Sequence, residues 1–563
     1  MLTVLYIVLM IGGLIFVHEL GHYLVARRLG VHVVEFSIGF GPKLFGFKGK
    51  QRYAGLPPTE YIVAALPLGG YVRMLGADPT EDVPAEVREW ALNFKPVWRR
   101  FLIALAGPAF NLILPLVLFF FVGLSIDTAT PSIVGTVDPG RPAWQAGIRP
   151  GDRITAVAGE PVRYFYEEMA PAIEAWPAQE IDIAWERLGQ PMSARITPRA
   201  EQQNVIPRVP VLAETVGKIG VGDRYVEPIV AVAPGSVAAA AGLRTWDRVV
   251  SVDGHAEPYL ARVLQRIETA RDRPVELGVL RYAADQRVGN LEFSLGDVER
   301  VTLPAAGAGP ADRGLSTSEC VIHRVMPGSP AAKTGEITPG DRIVAIDGNP
   351  CDAWLFAELQ LSQKKEGEEI VLTLSRDGQQ KDVKVAKTEV AWPLDLQPEN
   401  KELVLGVETL YALGRPAQIP IDGRLGYAAS FMLRSTGDAL KRTVATLGGL
   451  FTGKVSVDQG LGGPVLIAQI TARVADRGIA EFFGWMAVLS VSLGLINLLP
   501  IPVLDGGTIM FLAIEGIRRK PVSMRLRMIA TYIGLAFIVV LMVIVFRNDL
   551  NRCGPGMMLG LWP

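Results

Sequence analysis

Four stretches of the chain are apolar and almost free of charge. Each is near the ~20 residues that a helix needs to cross a bilayer. The first runs from Met1 to Val17 without a charge, and before Arg27 only His18, Glu19 and His22 are ionisable. The second runs from Phe101 to Ile126 behind Arg99 and Arg100. The third runs from Phe482 to Leu504 between Glu481 and Asp505, and the fourth from Met528 to Phe546 between Arg527 and Arg547. The pattern predicts spans at 2–26, 99–126, 482–504 and 528–546, with Pro500 and Pro502 breaking the helix near the end of the third. No positive residue precedes the first run and no small-x-small site follows it, so it reads as a span rather than a signal peptide. Residues from about 128 to 420 are mixed in polarity and punctuated by Gly and Pro, as soluble domains are.

Two further patterns lie beside the spans. Between Gly426 and Gly453, Leu433, Leu440, Val444, Leu447 and Phe451 recur at helical spacing, while Arg434, Asp438, Lys441 and Arg442 fall elsewhere. This predicts an amphipathic helix, lying on the membrane surface or packed on a neighbouring domain. Glu35 to Leu75 is dotted with glycine, and Thr59 to Met74 contains a strand-like, mostly apolar run.

The mixed middle repeats. Segments beginning at Val137, Val232 and Val325 share a Pro-Gly turn, a short Ala-rich stretch, an Asp-Arg turn and a strand ending in a Gly hairpin, as at Asp347-Gly348. Their Pro-Gly pairs are about 95 and 93 residues apart, too long a period for a solenoid. The pattern resembles the PDZ domain of bacterial membrane-associated proteases, with units expected at 130–200, 225–304 and 316–390. PDZ domains take an extended peptide beside a strand edge; the bland alternative is that some of these units are spacers. In the middle unit Trp246 replaces the turn glycine, so its loop is expected to differ.

Composition agrees with a chain partly in lipid. Hydrophobic residues are 49% and charged ones 20% of 563, with a mean hydropathy of +0.28. A formal charge of -1 leaves no basic excess for nucleic acid. Cys320, Cys351 and Cys553 are too few for a disulfide framework, and no CxxC occurs. Arg27, Arg28, Lys43, Lys48, Lys50 and Arg52 lie between spans one and two, and Arg518, Arg519, Lys520, Arg525 and Arg527 between three and four. The positive-inside rule puts both connections in the cytoplasm and the large middle region on the periplasmic side.

The chemistry is carried by His18-Glu19-Leu20-Gly21-His22 inside the first span. Two histidines four apart on a helix face one way and suit one Zn²⁺, with Glu19 in reach of a water as general base. Counting back from Arg27 at ~1.5 Å per residue puts His18 about 13 Å inside the cytoplasmic boundary, where ionisable groups are costly and usually functional. Zinc needs a third ligand. His255 and His323 are in the soluble repeats, whereas Asp505 closes the third span in Asn497-Leu-Leu-Pro-Ile-Pro-Val-Leu-Asp505-Gly-Gly, on the same side as the histidines. The alternative for Asp505 is an ordinary helix-end residue at the interface.

His18 to His22, the Asn497–Gly507 segment and a PDZ-like region between them together resemble the site-2 protease family. More narrowly, the chain is similar to the bacterial intramembrane zinc proteases that regulate the envelope stress response. The resemblance covers nearly the whole chain. It implies an α-helical multi-span membrane protein with four transmembrane helices, a membrane-reentrant β-hairpin at 34–76 and inserted α+β PDZ-like domains. It implies zinc bound by His18, His22 and Asp505, Glu19 as the group that activates water, and Asn497 as the residue that holds substrate backbone. Gly107-Pro108-x-x-Asn111 and Gly460 to Gln469 resemble further family segments. The expected location is the bacterial inner membrane, with 424–480 interfacial. The implied partners are the bilayer and single-span membrane proteins already shortened by another protease, such as an anti-sigma factor or remnant signal peptides. A catalytically inactive PDZ scaffold of the same fold and a metal transporter are the competing readings. The family's closest bacterial members carry two PDZ domains and this chain shows three signatures.

Overall fold

The computed structural model describes residues 2–78, 81–206, 209–281, 298–305, 313–351, 353–354, 357, 360–361, 364–376, 378–391, 401–410, 412–455 and 462–553. The chain forms two compact units. One contains residues 1–128, 202–214 and 420–563, and the other 129–201 and 215–419.

The first unit is mostly helical. Helix α1 is Leu2–Arg28, followed by a hairpin of strands β1 (Val33–Lys48) and β2 (Glu60–Met74), then α2 (Val97–Ser125). After the other unit come α3 (Arg424–Phe451), α4 (Pro464–Arg477), α5 (Ile479–Asn497), α6 (Asp505–Arg518) and α7 (Met524–Cys553). Four helices among the described residues are long and apolar enough to cross a membrane: Leu5–Arg28, Val97–Ser125, Ile479–Asn497 and Met524–Asp549. They coincide with the four apolar stretches. The third is shorter than its uncharged run, because the helix ends at Asn497 and not at Leu504. Pro500 and Pro502 lack amide protons, so two ladder bonds are lost within one turn and the helix stops before them.

Close approach of the helices uses small residues. A Cβ on Gly21 would lie 2.5 Å from the Ala106 carbonyl of α2, so only glycine lets α1 come this near. Gly494 brings α5 against Leu112 and Pro108 of α2 in the same way. The β1–β2 hairpin is antiparallel with several register shifts, and its base packs on α1 through Phe16, Tyr23, Phe36 and Tyr61. Its outer part exposes Phe40, Leu44, Phe45, Phe47 and Leu66. Helix α3 does not stand apart from the spans. It runs beside α2, with Phe431 against Phe119 and Ala428 against Gly123, and reaches α5 where Thr443 meets Ser492 at 3.3 Å. Leu425, Leu433 and Phe451 stay exposed on it. In the Gly460–Gln469 segment, Gly460 and Leu461 lie outside the described residues, and Pro464 onward is α4.

The second unit repeats one sheet three times. The strand orders are Glu160–Pro161, Arg153–Val157, Ile181–Arg187, Gln190–Ile196; then His255–Ala256, Arg248–Val252, Val275–Leu280, Glu299–Leu303; then Asn349–Pro350, Arg342–Ile346, Glu369–Arg376, Gln379–Ala386. Each sheet has its own apolar cluster, centred on residues such as Ile183 and Trp185, Val263 and Leu277, and Ile343 and Leu372. Each also begins on the same turn. Asp152, Asp247 and Asp341 each accept the backbone N–H three residues earlier at 2.8 Å. Each then binds an arginine from a neighbouring strand or its end: Arg187 at 2.7 Å, Arg281 at 2.5 Å and Arg376 at 2.5 Å. The preceding residue is left-handed in all three, with φ +93 at Gly151, +74 at Trp246 and +94 at Gly340. The loop at Trp246 therefore does not differ, contrary to the sequence expectation. The tryptophan adopts the glycine conformation at a cost, and its ring sits edge-on to His323 with centroids 5.0 Å apart.

Candidate active site

Helix α1 places His18 and His22 one turn apart, with ring centroids 4.9 Å from each other. Asp505, the first residue of α6, turns its Oδ2 to both: 3.0 Å from His18 Nε2 and 3.4 Å from His22 Nε2. One ligand atom from each residue lies within 4.8 Å of the others. Two imidazole nitrogens and a carboxylate oxygen, converging on one point, are a donor set that suits Zn²⁺ and leaves a fourth position open. The space is kept clear by Gly107, where a Cβ would overlap His22 Nε2 and lie 2.8 Å from His18 Cε1.

The route of the chain into Asp505 explains its aim. Asn497 ends α5, and Leu498–Leu504 form a tight turn in which Ile501 N bonds Leu499 O at 2.7 Å. Val503 sits at φ +147, a strained value for a β-branched residue. Gly506 and Gly507 then tuck the first turn of α6 under this loop, where a Cβ on Gly507 would come within 2.5 Å of the Ile501 carbonyl.

Around His18, His22 and Asp505, α2 supplies the outer contacts. His22 Nδ1 lies 2.7 Å from the Ile103 carbonyl, and His18 Nδ1 lies 3.2 Å from Asn111 Nδ2. Glu19 is packed against β2, where a Cβ on Gly70 would lie 3.3 Å from its Cγ. His18, Glu19, His22 and Asp505 share a cavity of about 580 Å³ with Tyr71 and Val72 of β2, Asn497 of α5 and Arg100 of α2. Arg100 makes a two-pronged ion pair with Glu515 at 3.2 and 2.5 Å, joining α2 to α6. All five site residues read from the sequence thus line one cavity. The Ile103 carbonyl, the Asn111–His18 contact and the Arg100–Glu515 pair had no such assignment. Of these only Asn111 carried a sequence signal, through Gly107-Pro108-x-x-Asn111.

The model of peptidase family M50 matches residues 6–541. The chain belongs to peptidase family M50. It is 30% identical over 556 residues to the regulator of sigma-E protease RseP of Salmonella typhimurium (strain 14028s), covering 97% of each chain. It is likewise 30% identical over 550 residues to protease RseP of Yersinia pestis, covering 96% of this chain and 97% of that one. A protein of Xylella fastidiosa (strain 9a5c) that bears the name of a zinc metalloprotease is 30% identical over 547 residues, 95% of each chain. This M50 chain is a zinc metalloprotease with membrane-crossing helices.

Proposed function

We propose that the chain is an intramembrane endopeptidase that cuts the transmembrane segments of single-span membrane proteins. The observation that carries this reading is the meeting of His18, His22, Asp505 and Glu19 in one cavity walled by membrane-length helices. His18, His22 and Asp505 hold the zinc. When bound, zinc supplies Lewis acidity to the scissile carbonyl and lowers the pKa of water. Glu19 takes the proton from the attacking water and returns it to the leaving amine.

A transmembrane helix hides its peptide groups in its own hydrogen bonds, so it must unwind before water can attack. Strand β2, which contributes Tyr71 and Val72 to the cavity, offers main-chain partners to the unwound segment, and Asn497 holds it by side-chain hydrogen bonds. In this reading the β1–β2 hairpin dips into the membrane, consistent with its exposed Phe40, Leu44 and Phe45. The three repeated sheets act as PDZ-like modules on the periplasmic side of a bacterial inner membrane. They reject substrates that still carry bulky ectodomains. An anti-sigma factor shortened by a first cut, or a remnant signal peptide, fits that filter.

The test is cleavage of a model transmembrane substrate by detergent-solubilised protein, with and without a zinc chelator. Cleavage should stop with chelator and in Glu19→Gln, while Glu19→Gln keeps its zinc. Proteolysis that persists in Glu19→Gln means another base. Deleting residues 130–390 should admit uncut substrates, and unchanged selectivity would refute the filter.

A further inference from the structure

The two histidines of the site are held from behind by the same helix, but by different chemistry. His22 Nδ1 faces the Ile103 main-chain carbonyl at 2.7 Å. A carbonyl only accepts, so Nδ1 carries a proton, and Nε2 is the ring atom turned toward Asp505. His18 Nδ1 instead faces the side-chain amide of Asn111 at 3.2 Å. An amide can do either job: its NH₂ donates and its oxygen accepts.

Asn111 is fully buried, its amide faces the His18 ring, and its Oδ1 has no hydrogen-bond partner among the described residues. His18 Nε2 is the ring atom turned to Asp505 Oδ2, at 3.0 Å. A histidine that ligates through Nε2 carries its proton on Nδ1, and that N–H needs an acceptor. The Asn111 side chain is the group that faces Nδ1, and a half-turn about its last bond decides which end of the amide meets the ring.

The backbone beneath Asn111 is pinned. Pro115 lies four residues on and has no N–H, so the Asn111 carbonyl loses its helical partner. Ser490 of α5, itself fully buried, fills the gap by donating to that carbonyl at 2.7 Å.

We propose that Asn111 is a positioning residue: in the zinc-loaded enzyme its Oδ1 accepts from His18 Nδ1–H and fixes Nε2 as the ligand atom. This rests on His18, His22 and Asp505 being the ligand set.

The test is zinc affinity of the full-length, metal-stripped protein, measured by competition with a chromophoric chelator. Asn111→Leu has no acceptor and should lose about 10- to 100-fold in affinity. Asn111→Asp has acceptors only and should bind zinc at least as well as wild type. A merely structural role gives the opposite order, because a buried carboxylate is the harsher change. Wild-type affinity in Asn111→Leu, or weaker binding by Asn111→Asp than by Asn111→Leu, overturns the proposal. A second measurement needs no variant at Asn111. In ¹⁵N-histidine spectra of the zinc-loaded wild type, His18 should show a protonated Nδ1; a bare Nδ1 overturns it. His22→Ala and Asp505→Ala separate the two levels. If either keeps wild-type zinc affinity, the ligand set falls and the Asn111 role with it. If both lose zinc while Asn111→Leu does not, Asn111 alone falls.

Discussion

Gly107 decides whether the site has room for an ion. A side chain there would occupy the volume between the two imidazoles, and the neighbouring helices are too close for it to move aside. Gly107→Val should therefore abolish zinc binding while circular dichroism keeps its helical signal; zinc retained at one per chain would contradict this. Glu319 gives a residue-scale prediction in the other unit. Burial pushes its carboxyl above the usual carboxylate range, while hydrogen bonds from Thr317 Oγ1 at 3.0 Å and Trp354 N at 3.2 Å pull it back. The folded state holds this proton more tightly than the unfolded chain does. Its stabilising share is thus complete below about pH 4.3 and is lost as pH rises through the raised folded value. Glu319→Gln should remove that loss, raising amide protection of Arg342–Ile346 at neutral pH and flattening its dependence on pH. An unchanged pH profile speaks against it. At this scale the sequence was legible wherever chemistry needs a particular side chain at a particular spacing. His18, Glu19 and His22 could be read from a five-residue run whose ends lie one helix turn apart. The Ile103 carbonyl could not, because every residue has one, and only packing selects which is used.

The turn that opens each of the three sheets tests strain at the level of the element. Gly340 is left-handed at φ +94, and an added Cβ there meets nothing within 4 Å. Gly340→Ala is therefore a change of backbone preference alone and should destabilise the third sheet by about 1–2 kcal/mol. Limited proteolysis of the full chain should then cut faster between residues 316 and 391. Equal rates would show that the turn carries no strain. The repeated pattern let the sequence place all three turns. It also suggested a different loop at Trp246, and that expectation failed. The Asp247 carboxylate, held by the Arg244 amide at 2.8 Å and by Arg281, dictates the turn whatever residue precedes it. Tertiary pairing overrode local preference. The end of α5 was legible for the opposite reason: Pro500 and Pro502, two positions apart, remove two ladder hydrogen bonds from a single turn.

Across the whole molecule, the three side chains proposed to hold zinc come from helices far apart in the chain, α1 and α6. Zinc bound by them would act as a cross-link and stabilise the first unit by mass action, about 4 kcal/mol when free zinc is a thousandfold above its Kd. Chelation should raise hydrogen exchange near His18–His22 and near Asp505–Leu512, and leave the three sheets of the second unit unchanged. A uniform rise across both units would point to a different origin of stability. The four spans and the two-part layout were plain from hydropathy, since lipid tolerates so few alternatives. The contact between α1 and α6 was not readable from any local pattern. It followed from asking which carboxylate could complete a set that two histidines had begun, and from the family resemblance of the Asn497–Gly507 segment.

That division of the ligands also sets an order in time. A ribosome adding 5–20 residues per second needs roughly half a minute to a minute and a half to travel from His22 to Asp505. Throughout that interval the nascent chain would carry His18 and His22 of the proposed zinc-holding set and lack Asp505. On that reading a truncated or stalled translation product has no complete centre. Hydrolysis would begin only once Asp505 has been made and folded against α1.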